Sequence, residues 1–363
     1  MVKGLGVKGV VRLLECFGSA SNIFAQSVDS LIGEAELRED VARNVASRSS
    51  FAAAERELKY CRKHGIRPVA STDSEYPQIM RETSDYPHVL YVNGSVEARS
   101  KRTITFVGTR RMTHYGERVC NELVRGLAER LPDLCVVSGL AYGIDAAIHR
   151  AALSNGVPTV AVIANALPDV TPTAHTALAR DIVAHGGAIV TELHSQTHQN
   201  GSYYISRNRV MAAASYGTVV IESGASGGSL ATAGFADGYN RAVMAVPGRI
   251  TDLYSLGANI LIRNRKAQPV LSAEDIISEL MWDMDLPVET VIAAKTDDVA
   301  ASLLPVERRI LECFGNSDTA STSELSERSG MSFGELAAHL MSMEIAGAVR
   351  QLPGNIFERL FYN

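Results

Sequence analysis

Between residues 103 and 246, short runs rich in valine, isoleucine and alanine recur at regular intervals. Each is separated from the next by a stretch long enough for a helix. The runs at 103–107, 134–138, 159–164, 188–192, 218–222 and 242–246 predict six strands. They are apolar at nearly every position instead of alternating, which predicts strands covered on both faces. Strands that alternate with helices in this way make a parallel sheet. Right-handed crossovers bring the carboxyl ends of such strands to one edge, where ligands bind near the reversal of strand order. The expectation over about residues 101 to 273 is therefore a doubly wound, mainly parallel α/β domain.

The flanks follow other periods. Val10, Val11, Leu13, Leu14 and Phe17 mark one face of a helix that stops at Gly18, and a second helix over 51–64 ends at Gly65. Sequence broken by Pro68, Pro77 and Pro87 closes on a strand-like run at 89–92, and Asn93-Gly94 predicts a turn into the next domain. Downstream, 283–302 has the pattern of a linker. Three helices (303–314, 322–329, 332–345) and a hairpin around Pro353-Gly354 then give a winged-helix outline. The predicted organisation is a helical domain at 1–65, the α/β domain at 66–282, a linker at 283–302 and a winged-helix-like domain at 303–363.

Composition narrows the class. The 363 residues are 46% hydrophobic, enough for sizeable cores, yet no run reaches the ~18–20 apolar residues of a membrane span. Met1 to Val11 lacks the long apolar core of a signal peptide, and the five cysteines are scattered without a CxxC pair. The expected compartment is a reducing cytoplasm. Net charge is −5, which alone argues against an anionic partner, but residues 101–273 carry 16 Lys+Arg against 11 Asp+Glu. No carboxylate occurs from Leu193 to Ile221, where Arg207 and Arg209 lie. Local potential matters more than the total, because screening removes distant charges beyond ~8–10 Å.

The loops after the strands carry the candidate chemistry. Gly108-Thr109-Arg110-Arg111 follows the first strand, with Tyr115-Gly116 opening a helix whose amino end offers N–H groups to an anion. Ser138-Gly139 begins the loop after the second, which runs through Tyr142 to Asp145. Ser223 to Ser229 follows the fifth, and its Ser226, Gly227, Gly228 and Ser229 combine open backbone with two hydroxyls. The fourth element is Tyr203-Tyr204-Ile205-Ser206-Arg207-Asn208-Arg209. Here arginine suits phosphate, asparagine a base edge and tyrosine an unpaired base. Glycine turns after strands also serve packing alone, and the fourth element also fits a helix start with tyrosines in the core. Neither GxxxxGK[ST] nor a GxGxxG after the first strand is present, against a P-loop ATPase and a dinucleotide enzyme.

Taken in order, VGTRRMTHYG, SGLAYGIDAAIHRAAL, the SRNR run, SGGSLATA and AVPGR followed by SLGANILI resemble the DprA/Smf family of DNA-processing proteins. LLECFGSASNIF and YPHVLYVNG resemble its amino-terminal region. The resemblance implies an extended Rossmann-like fold, an N-terminal helical domain of SAM or helix-hairpin-helix type and a winged helix. It also implies a single-stranded-DNA binder that protects incoming strands in natural transformation and loads the RecA recombinase. It further implies a dimer, no enzymatic turnover and no cofactor. Residue by residue, Arg110 matches the family's first-loop arginine, and Ser138-Gly139 match its second loop. Arg207-Asn208 match its RN pair, and Ser226, Gly228 and Ser229 match its serine-glycine loop. Tyr204 stands where phenylalanine is usual and Tyr142 where arginine is common; Ala164 to Leu167 replace a glycine-rich turn, and Gln199-Asn200-Gly201 offer no lysine.

On this reading phosphates contact Arg110, Arg207 and Arg209, and Arg110→Ala and Arg207→Ala each weaken binding without unfolding the domain. The alternative is a nucleotide phosphoribohydrolase of the LOG type, or another nucleotide-binding enzyme on the same scaffold. Such enzymes carry PGGxGTxxE, and SGASGGSLATAG lacks the glutamate. His194 and His198 lack a neighbouring cysteine, which argues against a metal site. Glu222, at a strand end, fits a structural carboxylate bonded to loop N–H groups. The winged-helix stretch holds 5 Lys+Arg against 8 Asp+Glu, and its third helix carries Glu335 and Glu344 but no lysine or arginine; a reader of duplex DNA requires the opposite.

Overall fold

The computed structural model describes all residues except 96–101, 199, 286–302, 316, 318, 347, 353 and 361–363. The described chain forms two units, Met1–Leu280 and Met281–Asn363. The expected linker at 283–302 and Pro353 of the expected hairpin turn lie wholly or mostly outside the described residues.

The first unit is built on nine strands: β1 (Arg67–Ala70), β2 (Val89–Gly94), β3 (Arg102–Val107), β4 (Leu134–Ser138), β5 (Thr159–Val162), β6 (Ala188–Thr191), β7 (Gly217–Val220), β8 (Ala242–Ala245) and β9 (Gln268–Pro269). Their order is β1-β2-β6-β5-β4-β3-β7-β8-β9. Strands β3 to β9 pair in parallel, and β2 joins β6 antiparallel. All residues of β4, β5, β6 and β7 are buried, the physical reason their sequences are continuous apolar runs. The six expected strands are thus present, with ends shifted by a residue or two.

Helices cover both faces. Helices α9 (Ser202–Ala213) and α10 (Gly228–Gly238) pack on one through Val210, Met211, Ala233 and Ala236. On the other lie α5 (Phe51–Lys63), α7 (Ile144–Ser154) and α8 (Thr176–Ala184), through Cys61, Ala146, Leu178 and Ile182. Helix α6 (His114–Arg130) packs on α7, and α12 (Ala273–Glu279) on α6; α11 (Leu256–Arg263) follows β8. Four short helices, α1 (Val7–Phe17), α2 (Ala20–Ile23), α3 (Val28–Gly33) and α4 (Glu39–Ala46), surround their own small core of Leu13, Ile23, Leu31, Ala42 and Val45. Gly18 ends α1 as expected, its N–H donating to Leu14 O at 2.8 Å.

Asn93-Gly94 is corrected. Instead of turning, both residues continue β2 and pair with Ile189 and Ala188, so β1 and β2 extend the main sheet. A free sheet edge at β6 supplied hydrogen-bond partners that outweighed local turn preference.

Strand order reverses at β3. From it the chain steps outward through β4, β5 and β6, then returns to β7 on the other side. The loops after β3, β4 and β7 therefore flank the switch point, where a doubly wound sheet leaves a crevice.

The second unit contains α13 (Pro305–Glu312), β10 (Thr319–Ser321), α14 (Thr322–Ser329), α15 (Phe333–Ile345), β11 (Val349–Leu352) and β12 (Ile356–Arg359). Leu311, Phe314, Leu325, Leu336, Leu340, Met343 and Phe357 form its core. Ser321 with Glu324, and Ser332 with Glu335, make reciprocal caps that start α14 and α15. The expected hairpin gains a third strand, since β10 pairs with β12. No helix among the described residues is long and apolar enough to cross a membrane.

Candidate nucleic-acid interface

Main-chain bonds stitch the three switch-point loops together. Thr109 N donates to Glu222 O at 2.7 Å, and Ile144 N donates to Thr109 O at 3.2 Å. Gly143 makes this closeness possible: its φ is +76°, and a Cβ there would fall 2.2 Å from Thr109 O. A cavity of about 290 Å3 opens above the joined loops, lined by residues of all three and by one side of α9. A larger concavity of about 930 Å3 lies in the second unit, against Arg309, Phe314 and Arg328. No strand ends converge there, so size alone does not select it.

Gly108, Thr109, Arg110, Tyr204, Arg207, Asn208, Ser226, Gly227, Gly228 and Ser229 all line the smaller cavity. Arg111 is exposed beside it without lining it. Ser138 and Gly139 lie beneath: Ser138 is fully buried and its hydroxyl donates to Phe106 O at 2.8 Å. Arg209 faces elsewhere.

The three basic or amide residues of the SRNR run have separate duties. Arg207 is 7% exposed, and its Nη1 donates to Gly139 O at 2.5 Å and Val162 O at 2.8 Å. It braces the ends of β4 and β5 from below. A Cβ on Gly139 would lie 2.3 Å from Arg207 Nη1 and 2.6 Å from Asp145 Oδ2, so the guanidinium and this carboxylate meet across a glycine. Burial lowers the pKa of Arg207, against the opposing pull of Asp145. Burial likewise raises that of Asp145, against Arg207 and the Ala141 N–H. Asn208 donates to Gly228 O at 3.1 Å and so ties α9 to the start of α10. Arg209 bonds Glu192 and donates to Asp85 O at 2.5 Å; with side chains 13% and 17% exposed, this is an internal ion pair. The expectation that Arg209 meets phosphate is corrected by this engagement.

The cationic surface of the cavity is Arg110. It is exposed, no carboxylate pairs with it among the described residues, and its guanidinium lies over the ring of Tyr204, 5.5 Å from the centroid. Opposite, Ala225 to Gly228 are exposed, and α10 begins at Gly228 with no side-chain cap. The loop is fixed at its base: Ser223 N donates to Tyr254 O at 2.5 Å, and the Ser223 and Ser229 hydroxyls are 2.8 Å apart.

The amino end of α6 differs from expectation. Thr113 caps Gly116 N, while Glu222 accepts from Thr113 N at 2.9 Å and from Thr113 Oγ1 at 2.5 Å. These bonds occupy donors that an anion would have used, and Glu222 has the structural place expected of it. Sequence reasoning placed Asp145 and Ser223 in the candidate loops without giving them a role and passed over Thr232; all three also line the cavity. It also passed over His149, fully buried with Nδ1 2.7 Å from Thr159 Oγ1, and His175, bonded to Leu140 O. The polar residues inside the apolar helical stretch IDAAIHRAAL were the available signal.

Comparison with known proteins fits this architecture. The family model described as DNA recombination-mediator protein A matches residues 67–281, and that of the DprA winged helix domain matches 293–355. A putative DNA processing protein DprA of Mycobacterium tuberculosis is 32% identical over 85% of this chain and 81% of its own. Protein Smf of Escherichia coli is 34% identical over 78% and 75%. Among solved structures, DNA processing protein A of Streptococcus pneumoniae aligns with a TM-score of 0.66 at 27% identity, covering 77% of this chain and 94% of that one. The Helicobacter pylori protein, whose structure is described for its single-stranded DNA binding mode, shares the fold with a TM-score of 0.53 at 24% identity, over 60% and 96%. With both family models matched and relatives above 30% identity over most of the chain, the chain belongs to the DprA/Smf family of DNA-processing proteins.

Proposed function

We propose that this protein binds single-stranded DNA at the switch-point cleft, protects it and delivers it to the RecA recombinase. In this reading it acts as a homodimer in natural transformation or recombination, and without catalytic turnover. The observation that carries the ligand is the presence in one cavity of an exposed Arg110 that makes no ion pair among the described residues and lies over Tyr204, together with the open, uncapped Ser226–Gly228 backbone. Phosphate is held by the first through bidentate hydrogen bonds and by the second through main-chain N–H groups, while an unpaired base stacks at the guanidinium plane. Family membership supports the same ligand, and the H. pylori fold relative is described by its single-stranded DNA binding. RecA delivery and the dimer are carried over from the family resemblance.

One observation favours a nucleotide hydrolase on the same scaffold: Asp145 lines the cavity and burial raises its pKa. Against it, Asp145 accepts from Ala141 N at 3.3 Å and faces Arg207, and Glu222 is engaged by Thr113. Release of free base from nucleoside monophosphates by the purified protein would favour that reading.

The test compares Arg110→Ala with Arg209→Ala in binding of a labelled oligo-dT. Loss of one charge-assisted phosphate contact predicts about 10- to 100-fold weaker binding for Arg110→Ala and a salt dependence shallower by about 0.7. Arg209→Ala retains wild-type salt dependence. Equal behaviour of the two variants contradicts the assignment, and absence of RecA stimulation on single strands contradicts the delivery role.

A further inference from the structure

Tyr142 lies in the loop between β4 and α7 and leaves 50% of its surface in solvent. Its buried side is held by the ring of His175, edge to face, with centroids 5.0 Å apart and planes at 64°. His175 is 5% exposed, and its Nδ1 lies 2.8 Å from the carbonyl oxygen of Leu140. Leu140 is itself fully buried with φ at +56°. A ring that merely ends a surface loop needs no such scaffold; this one is fixed in place while half of it faces water. An aromatic held rigid before its ligand arrives loses little entropy when a flat partner stacks on it.

The position matters as much as the support. Gly143, the next residue, packs against the first loop, and a Cβ on it would fall 2.9 Å from Arg110 Cα. The Cα atoms of Tyr142 and Arg110 are therefore within about 8 Å of one another. Neighbouring backbone thus carries two flat groups, Arg110 over Tyr204 in the cavity and Tyr142 against His175 just outside the residues that line it. Both backings are aromatic, and the second loop presents a flat ring where a cation would have extended the phosphate contacts of Arg110. Every nucleobase has a face to offer such a surface, whatever its sequence.

We propose that Tyr142 is a second stacking platform, taking the unpaired base of the nucleotide next to the one held at Arg110. It binds the base and not the phosphate. The inference rests on the single-stranded DNA reading above and names the part of the strand that this side of the cleft recognises.

The test measures binding of labelled oligo-dT, and of an abasic strand of equal length, to the full chain and to Tyr142→Phe, Tyr142→Leu and Tyr142→Arg. Tyr142→Phe keeps wild-type affinity, and Tyr142→Leu weakens oligo-dT binding about 5- to 100-fold with unchanged salt dependence. On the abasic strand, Tyr142→Leu and wild type bind alike. Tyr142→Arg steepens the salt dependence by about 0.7, as one added phosphate contact requires. Thermal melts of all three match wild type, since the replaced ring is half exposed. Wild-type oligo-dT affinity in Tyr142→Leu overturns the platform alone, as does an equal loss on the abasic strand. Failure of the wild-type chain to bind oligo-dT overturns the ligand reading and the platform together.

Discussion

At the scale of single residues, burial separates side chains that look alike in the sequence. Arg110, Arg207 and Arg209 carry the same group. Yet one stands free over a tyrosine, one braces two strand ends and one closes an internal ion pair. The prediction for Arg207 changes accordingly. Arg207→Ala takes the guanidinium donor from two buried carbonyls and the nearer cation from Asp145. That costs on the order of 3–5 kcal/mol. In a unit of this size the melting temperature falls by roughly 10 °C. Differential scanning calorimetry checks this, and an unshifted melt shows that the guanidinium is not structural. The run of arginines and the absence of acid were legible in the sequence; which arginine faces water was not, because that depends on the distant partners Gly139, Val162 and Glu192.

At the scale of elements, the link between α7 and β5 predicts a pH dependence. His149 on α7 meets Thr159 on β5 in a fully buried site, and its Nε2 has no hydrogen-bond partner among the described residues. Burial pushes its pKa down to about 3, with His175 and Arg207 adding to the effect. The unfolded chain binds a proton there near pH 6.5 and the folded one does not, so this site's stability is complete above that pH. It is lost progressively as pH falls from about 6.5 towards 3. Asp145, with its pKa raised by burial, works in the opposite sense, favouring the folded state at acid pH. Removing the histidine isolates its share: His149→Gln loses less melting temperature between pH 7 and pH 5 than wild type. An equal loss in both proteins shows that other groups set the acid sensitivity.

The elements themselves were readable where physics is local. Strands buried on both faces leave valine-rich runs, and helix stops such as Gly18 leave glycine. Two kinds of feature were not readable. Strand β10 is Thr-Ala-Ser, too short for any period, and exists because β12 offers it an edge. Asn93-Gly94 carries the letters of a turn but pairs with β6, a partner nearly a hundred residues away. The site followed the same division: its loops were legible from strand ends, whereas the hold of Glu222 on Thr113, the cap of α6, depends on a partner distant in sequence.

At the scale of the whole molecule, charge and architecture support the same place for the proposed anionic ligand. The α/β segment is basic within an acidic chain, and its switch-point cleft holds the exposed Arg110, with Arg111 beside it. The winged-helix unit has the opposite character: α15 carries Glu335 and Glu344, no lysine or arginine, and exposed Phe333, Met341 and Ile345. That surface is unsuited to a duplex phosphate backbone. The most direct measurement is fluorescence anisotropy of a labelled oligo-dT with the full chain across a salt series, with duplex DNA of equal length as competitor. Binding that weakens with salt by a slope of about 0.7 or more, as the phosphate contact of Arg110 requires, and that duplex competes for poorly, is the predicted result. Salt-independent binding, or equal competition by duplex, would contradict the account.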